Sequence, residues 1–240
     1  MRKYPTNSGP FKEAIFLERE EIDSICCDEL ISTFLYPSSP EPIRIERYLE
    51  KRFKITPDYD ELSDGVLGMT IFGPSGPERV VIARSLSENN SITNERRITT
   101  TIAHEIGHIL FHTDLILESR RKSSQRSFFG RSEDNNRSPI PVLCRDIPLS
   151  EIPGSKYQGP WWEIQANKAI GSFLIPRGLM EEALDSFLIF KKTRLGVFEE
   201  KIVDPSKLGE AIIHLSETFD VNPIVAKIRI REVYRDKNRT

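Results

Sequence analysis

The chain has 240 residues, 38% of them apolar, and nearly balanced charge: 34 basic against 36 acidic residues, a net of −2. That composition excludes a disordered chain and gives no electrostatic reason to expect a nucleic acid or a membrane surface as partner. No apolar run approaches the roughly 20 residues a bilayer-spanning helix needs, the first residues lack the apolar stretch of a secretory signal, and three cysteines without framework spacing, Cys26, Cys27 and Cys144, point to a reducing, cytoplasmic setting.

In chain order, residues 11–36 read as an amphipathic helix, with Ile15, Ile22, Cys26, Leu30 and Phe34 at mostly helical spacing. PSSPEP ends it, and Pro42 stands near the first turn of a second helix, IRIERYLEKRF. The period then changes. GVLGMTIF and RVVIARS are rich in β-branched residues and are separated by GPSGPE, a hairpin pattern. The second strand, RVVIA, is a candidate sheet edge along which an extended peptide could add as a further strand. The next helix covers 94–113, with Asn94 as N-cap and Glu95 at the positive end of the helix dipole.

Residues 118–160 are polar, basic and turn-rich, which predicts a long loop insertion. Between Ser119 and Arg137 six basic residues face two acidic ones, a net of +4. A solvated loop is the plain reading, and a lid or substrate-docking arm the sharper one. WWEIQANKAIGSFL (161–174) is helical and ends at Pro176, with a further helix over 177–190. After DPS (204–206) come KLGEAIIHLSETF and NPIVAKIRIREVY, a two-helix close with too few basic residues to read DNA. His214 sits there between Ile213 and Leu215, a structural position. The elements predict an α+β fold with a small β-sheet or hairpin and a mostly helical remainder. They divide into an N-terminal helical segment (1–40), a main domain (41–205) carrying the 118–160 insertion, and a C-terminal helical segment (206–240) packed on it.

The stretch TIAHEIGHILFH (101–112) holds three of the four histidines. On a helix, residues four apart share a face, so His104 and His108 can grip one ion through their imidazoles. Glu105 is rotated by about 100° and can flank a water on that ion without ligating it. Zinc lowers the pKa of its water to about 7, and a nearby carboxylate can take the proton as the water attacks a carbonyl. Ile98, Ile102, Ile106 and Ile109 form an apolar stripe that runs beside the histidine face.

A catalytic zinc usually has three protein ligands. His112 lies two turns above His104, about 12 Å along the axis, too far for both to sit about 2 Å from one ion. It is expected to cap the helix or line the cleft. Asp114 would need a helix-breaking glycine where Phe111 stands, and is rejected. Glu163 remains, with Glu118, Asp146 and Glu151 as rivals. Glu163 shares a helix face with Asn167, and Gly171 on the same helix permits close helix–helix approach. Trp161 and Trp162 read as packing that holds this helix. Tyr157 and His112 are the candidates for stabilising an oxyanion.

TTTIAHEIGHILFH (99–112) followed by EIQANKAIGSFLIP (163–176) resembles the ImmA/IrrE family of metallo-endopeptidases, whose pattern is close to T-x-A-H-E-x-G-H-x-x-x-H and then E-x-x-A-N-x-F-A-x-x-L-L-x-P. The ending FDVNPIVAKIRI (219–230) resembles the family's F-x-V-S-x-x-A-x-x-x-R-L. The resemblance implies a zincin-like metallopeptidase domain with one Zn2+ held by His104, His108 and Glu163, Glu105 as catalytic acid/base, and Asn167 supporting a ligand. It also implies regulatory proteolysis of a helix-turn-helix repressor. The chain departs from the pattern at Ala169-Ile170, where Phe-Ala is common, at Ile175, and at Asn222, still a good N-cap in place of serine. The gap between His108 and Glu163 is longer than is usual in the family. The alternative function is a metal-binding regulator, or a toxin–antitoxin partner, that binds a repressor without cutting it.

Overall fold

A computed structural model describes residues 2–6, 11, 13–88, 91–127, 140–145, 160–192 and 199–234. Where a helix from residue 11 is expected, the chain opens with an antiparallel ribbon, β1 (Arg2–Pro5) and β2 (Glu13–Phe16). Helix α1 (Arg19–Ser32) starts only afterwards. The run AIFL buries Ala14, Ile15 and Leu17 in an extended conformation, and four apolar residues are too few for periodicity to tell strand from helix. The N–H of Glu18 donates to the Glu21 carboxylate at 2.8 Å, which caps α1. Helix α2 (Ile45–Phe53) follows, and Pro42 lies just outside it.

The predicted hairpin forms as β4 (Val66–Phe72) and β5 (Pro77–Ala83), after a short strand β3 (Asp58–Asp60). Strand β6 (Ile140–Arg145) completes the sheet in the order β3-β5-β4-β6, with β3 parallel to β5 and the other pairs antiparallel. The turn closes between Gly73 and Gly76, whose φ of 146° suits glycine. Along β4 every second residue, Val66, Gly68, Thr70 and Phe72, is buried, the strand period of two. Two expectations are corrected here. RVVIA is interior, because β3 covers Val81–Ala83 of β5. The predicted 118–160 loop contains a strand, β6, whose Pro141 hid it from propensity.

Helix α3 (Ile92–Ser127) is longer than the predicted 94–113. Its cap is Ser91 rather than Asn94: the Ser91 Oγ accepts the Asn94 amide at 3.2 Å, the usual cap-to-third-residue bond. The helix runs on past 113 because Leu115 and Ile116 bury themselves in the core and the Glu, Arg, Lys and Gln that follow are good helix formers. Residues 119–127 of the +4 segment are therefore helical, and the rest of the predicted lid lies outside the described residues.

Helix α4 (Trp161–Leu174) is as read. Helix α5 (Arg177–Ala183) stops short of the predicted 190, and β7 (Leu188–Lys192) pairs with β8 (Glu199–Val203) in an antiparallel ribbon. Helices α6 (Leu208–Thr218) and α7 (Pro223–Val233) form the expected close. Asn222 is the N-cap residue of α7, but its amide donates to the Thr93 carbonyl at the start of α3 instead of capping. His214 is exposed and lies against the Phe187 ring, not on a buried face.

One continuous core draws Ile22 and Leu30 of α1, Tyr48 and Leu49 of α2, Phe72, Val80 and Ile82 of the sheet, Ile102 and Ile106 of α3, Phe173 of α4 and Ile230 of α7. The result is a mixed fold of helices around small sheets, α+β in class. No helix among the described residues is long and apolar enough to cross a membrane.

Candidate metal centre

Helix α3 is buried on two faces. The isoleucine stripe faces the core as expected, but the histidine row is buried too: His104, Glu105, His108 and His112 are 3%, 0%, 0% and 1% exposed. What covers the histidines is α4. The approach is set by Gly107, where a Cβ would stand 2.9 Å from both Ala166 Cα and Ala169 Cβ. Gly171, expected to serve this contact, faces α7 instead: a Cβ there would lie 2.9 Å from Arg229 Cδ.

At this distance Glu163 reaches the histidines. His104 Nε2 lies 3.2 Å from Glu163 Oε2, His108 Nε2 lies 3.5 Å from Glu163 Oε1, and the two Nε2 atoms are 2.9 Å apart. These three side chains form the one group of potential metal ligands found among the described residues. Ligand atoms at tetrahedral positions about 2.0–2.1 Å from one zinc are separated by about 3.3 Å, close to the three separations seen. Two nitrogens and one carboxylate oxygen are also the donor set of a catalytic zinc site. The rivals do not converge: Glu118 lies 3.7 Å from Lys3 Nζ, Asp114 is exposed, and Asp146 and Glu151 fall outside the described residues.

Asn167 stands where its spacing put it, one turn beyond Glu163, with Oδ1 3.0 Å from His104 Nδ1. A carbonyl oxygen only accepts, so His104 carries its proton on Nδ1 and turns an Nε2 lone pair toward Glu163 and His108.

Glu105 does not join the ligands. The Thr70 hydroxyl on β4 donates to its Oε2 at 2.5 Å, while Oε1 is buried without a hydrogen-bond partner. Buried polar atoms are rarely left so, and a water or substrate group would satisfy it. Gly68 leaves the room: a Cβ there would stand 3.2 Å from Oε1 and 2.4 Å from the Thr101 methyl. Burial pushes the Glu105 carboxyl up to about 7, against the opposing pull of His104 and the Thr70 bond. Burial also lowers His108 and takes His112 down to about 3, so both rings are neutral.

His112 neither caps the helix, which runs on to Ser127, nor lines an open cleft. It is enclosed by Phe11, Trp161 and Phe111, with Nδ1 3.1 Å from His108 Nδ1 and Nε2 3.1 Å from Gln165 Oε1. Both nitrogens are engaged, so it is withdrawn as an oxyanion donor, and Tyr157 lies outside the described residues. Trp161 and Trp162 pack with Phe11 at the start of α4, as expected of residues that hold that helix.

Thr70, Gly68, Gly107 and Gln165 escaped the sequence reading. Gly107 carried a signal, since a glycine inside a helix costs about 1 kcal/mol relative to alanine and needs a packing reason. Thr70 and Gly68 share the inward face of β4 with Phe72, where a polar residue needs a partner. No protein-family model matches the chain, and no curated protein matches it.

Proposed function

We propose that the chain is a zinc-dependent endopeptidase of zincin-like fold, related to the ImmA/IrrE family, that cuts a peptide bond in a protein substrate. The resemblance points to a helix-turn-helix transcriptional repressor as that substrate. The observation that carries the reading is Glu105: a fully buried carboxylate, outside the ligand set, with one oxygen held by Thr70 and the other without a hydrogen-bond partner among the described residues. A site that only stores a metal has no use for such a group.

His104, His108 and Glu163 would hold the ion. When bound, zinc supplies Lewis acidity to a carbonyl and acidity to water. Glu105 accepts the proton of the attacking water at Oε1 and returns it to the departing amide nitrogen, while Thr70 keeps Oε2 in place. Asn167 orients the His104 ring. The outer edge next to β4 belongs to β6, so an extended substrate would add there rather than along β5.

The test is Glu105→Gln, which keeps an acceptor for Thr70 but cannot take a proton. Zinc content by elemental analysis should stay at one ion per chain. Cleavage of a helix-turn-helix repressor from the neighbouring gene should fall by about 10²–10⁴-fold. Equal inertness of wild type and variant toward a repressor that both bind would favour the non-cutting regulator.

A further inference from the structure

A chain of hydrogen bonds runs from the backbone of β2 to the face of His108 that looks away from Glu163. Its direction can be read link by link from the Ile15 end, which is chemically one-sided. The carbonyl of Ile15 can only accept, so the Gln165 amide group 2.6 Å away turns its NH2 toward it. That leaves the Gln165 Oε1, also a pure acceptor, facing His112 Nε2 at 3.1 Å, and Nε2 must carry the His112 proton. Buried among Phe11, Phe111 and Trp161, His112 is a neutral ring whose Nδ1 is then an acceptor, and the partner at 3.1 Å among the described residues is His108 Nδ1, the donor. With its proton on Nδ1, neutral His108 has its lone pair on Nε2, the atom that faces His104 and Glu163.

We infer that His112, oriented by Gln165 and the Ile15 carbonyl, is a positioning residue that sets the His108 tautomer so that Nε2 is presented as a metal ligand. The inference rests on reading His104, His108 and Glu163 as the metal ligands. It gives the third histidine of the motif a task that ligation cannot give it. The two ligand histidines are thus oriented by different devices: His104 directly by the Asn167 amide, His108 through an imidazole and an amide in series. It also ties β2, a strand far away in sequence, to the site through the Ile15 carbonyl, with the Phe11 ring just before it 6.4 Å from that of His112. A plain space-filling role would need none of this directionality, since a phenyl ring would fill the same volume.

Two measurements test it. Nitrogen-15 spectra of the imidazoles in the metal-free wild type should show His108 protonated on Nδ1 and His112 on Nε2. The opposite assignment for either ring overturns the relay, whether or not any variant folds. Zinc affinity by chelator competition should fall about 10–100-fold in His112→Phe, the range for outer supports of a metal ligand, and stay within about threefold of wild type in His112→Asn, whose carbonyl oxygen can replace the Nδ1 acceptor. Equal affinities in the two variants, in either direction, overturn it as well. A wild type that takes up no zinc would defeat the metal reading itself, and the nitrogen-15 assignment would still decide the relay.

Discussion

Helix α4 carries two buried polar clusters that are built oppositely. Near its end, the Ser172 hydroxyl donates to Asp23 of α1, which pairs in turn with Arg229 of α7. Arg229 Nη2 bonds Asp23 at 2.7 Å, Nε bonds the Ile175 carbonyl at 3.1 Å, and Nη1 lies 3.7 Å from Glu232. Here a cation and its anions are all supplied by the chain. Near its start, Glu163 meets His104 and His108, and three potential metal ligands converge. Buried charges persist when paired and hydrogen-bonded. The first cluster supplies its own ion pairs, although Arg229 Nη1 keeps no hydrogen-bond partner among the described residues, and it joins three helices, whereas the second, on the proposed reading, takes its positive ion from outside.

The sharpest way to break this contrast is to remove one partner from each side. Asp23→Ala leaves the Arg229 guanidinium buried without its anion, and should lower unfolding free energy by about 3–5 kcal/mol in urea titrations, with no help from zinc. Stability unaffected by that change would mean the α1–α4–α7 cluster is not a structural tie. At the other cluster, zinc at about 100 times its dissociation constant should raise wild-type stability by about 2.7 kcal/mol. Glu163→Gln should lose most of that gain while its metal-free stability stays near wild type. Zinc stabilisation equal in both proteins would remove Glu163 from the ligand set. The smallest effect falls between the clusters: Gly107→Ala pushes a methyl into Ala166 and Ala169 and should cost about 1–3 kcal/mol by overpacking. It should also weaken zinc binding by moving α4 away from α3. A Gly107→Ala protein with unchanged zinc affinity would show that the helix spacing does not set the site.

The legible parts were those with local periodicity. His104, Glu105 and His108 lie within five residues, and helical spacing alone puts the two imidazoles together. Glu163 is 55 residues beyond His108 in sequence, and the residues by themselves left it among four acidic candidates. Resemblance singled it out, and the Gly107 contact is what brings it within reach. The Gln165 partner of the relay sat unread inside a stretch that was quoted for other reasons, because its bonds go to His112 and to Ile15 and neither is implied by spacing. Strands fared worst where they were short or polar. DYD of β3 has no buried residue and owes its form to the β5 backbone, and β1, exposed throughout, owes its form to β2. Cross-strand partners decide such segments, and no window of sequence contains both sides.

The chain's only two tryptophans, Trp161 and Trp162, stand at the start of α4, and the Trp161 ring is 5.5 Å from that of His112. The protein thus carries its own optical probe at the one corner where the N-terminal segment, the third histidine and the Glu163 turn meet. Ultraviolet-excited emission reports on that corner without a label, and nothing elsewhere in the chain contributes a competing indole signal.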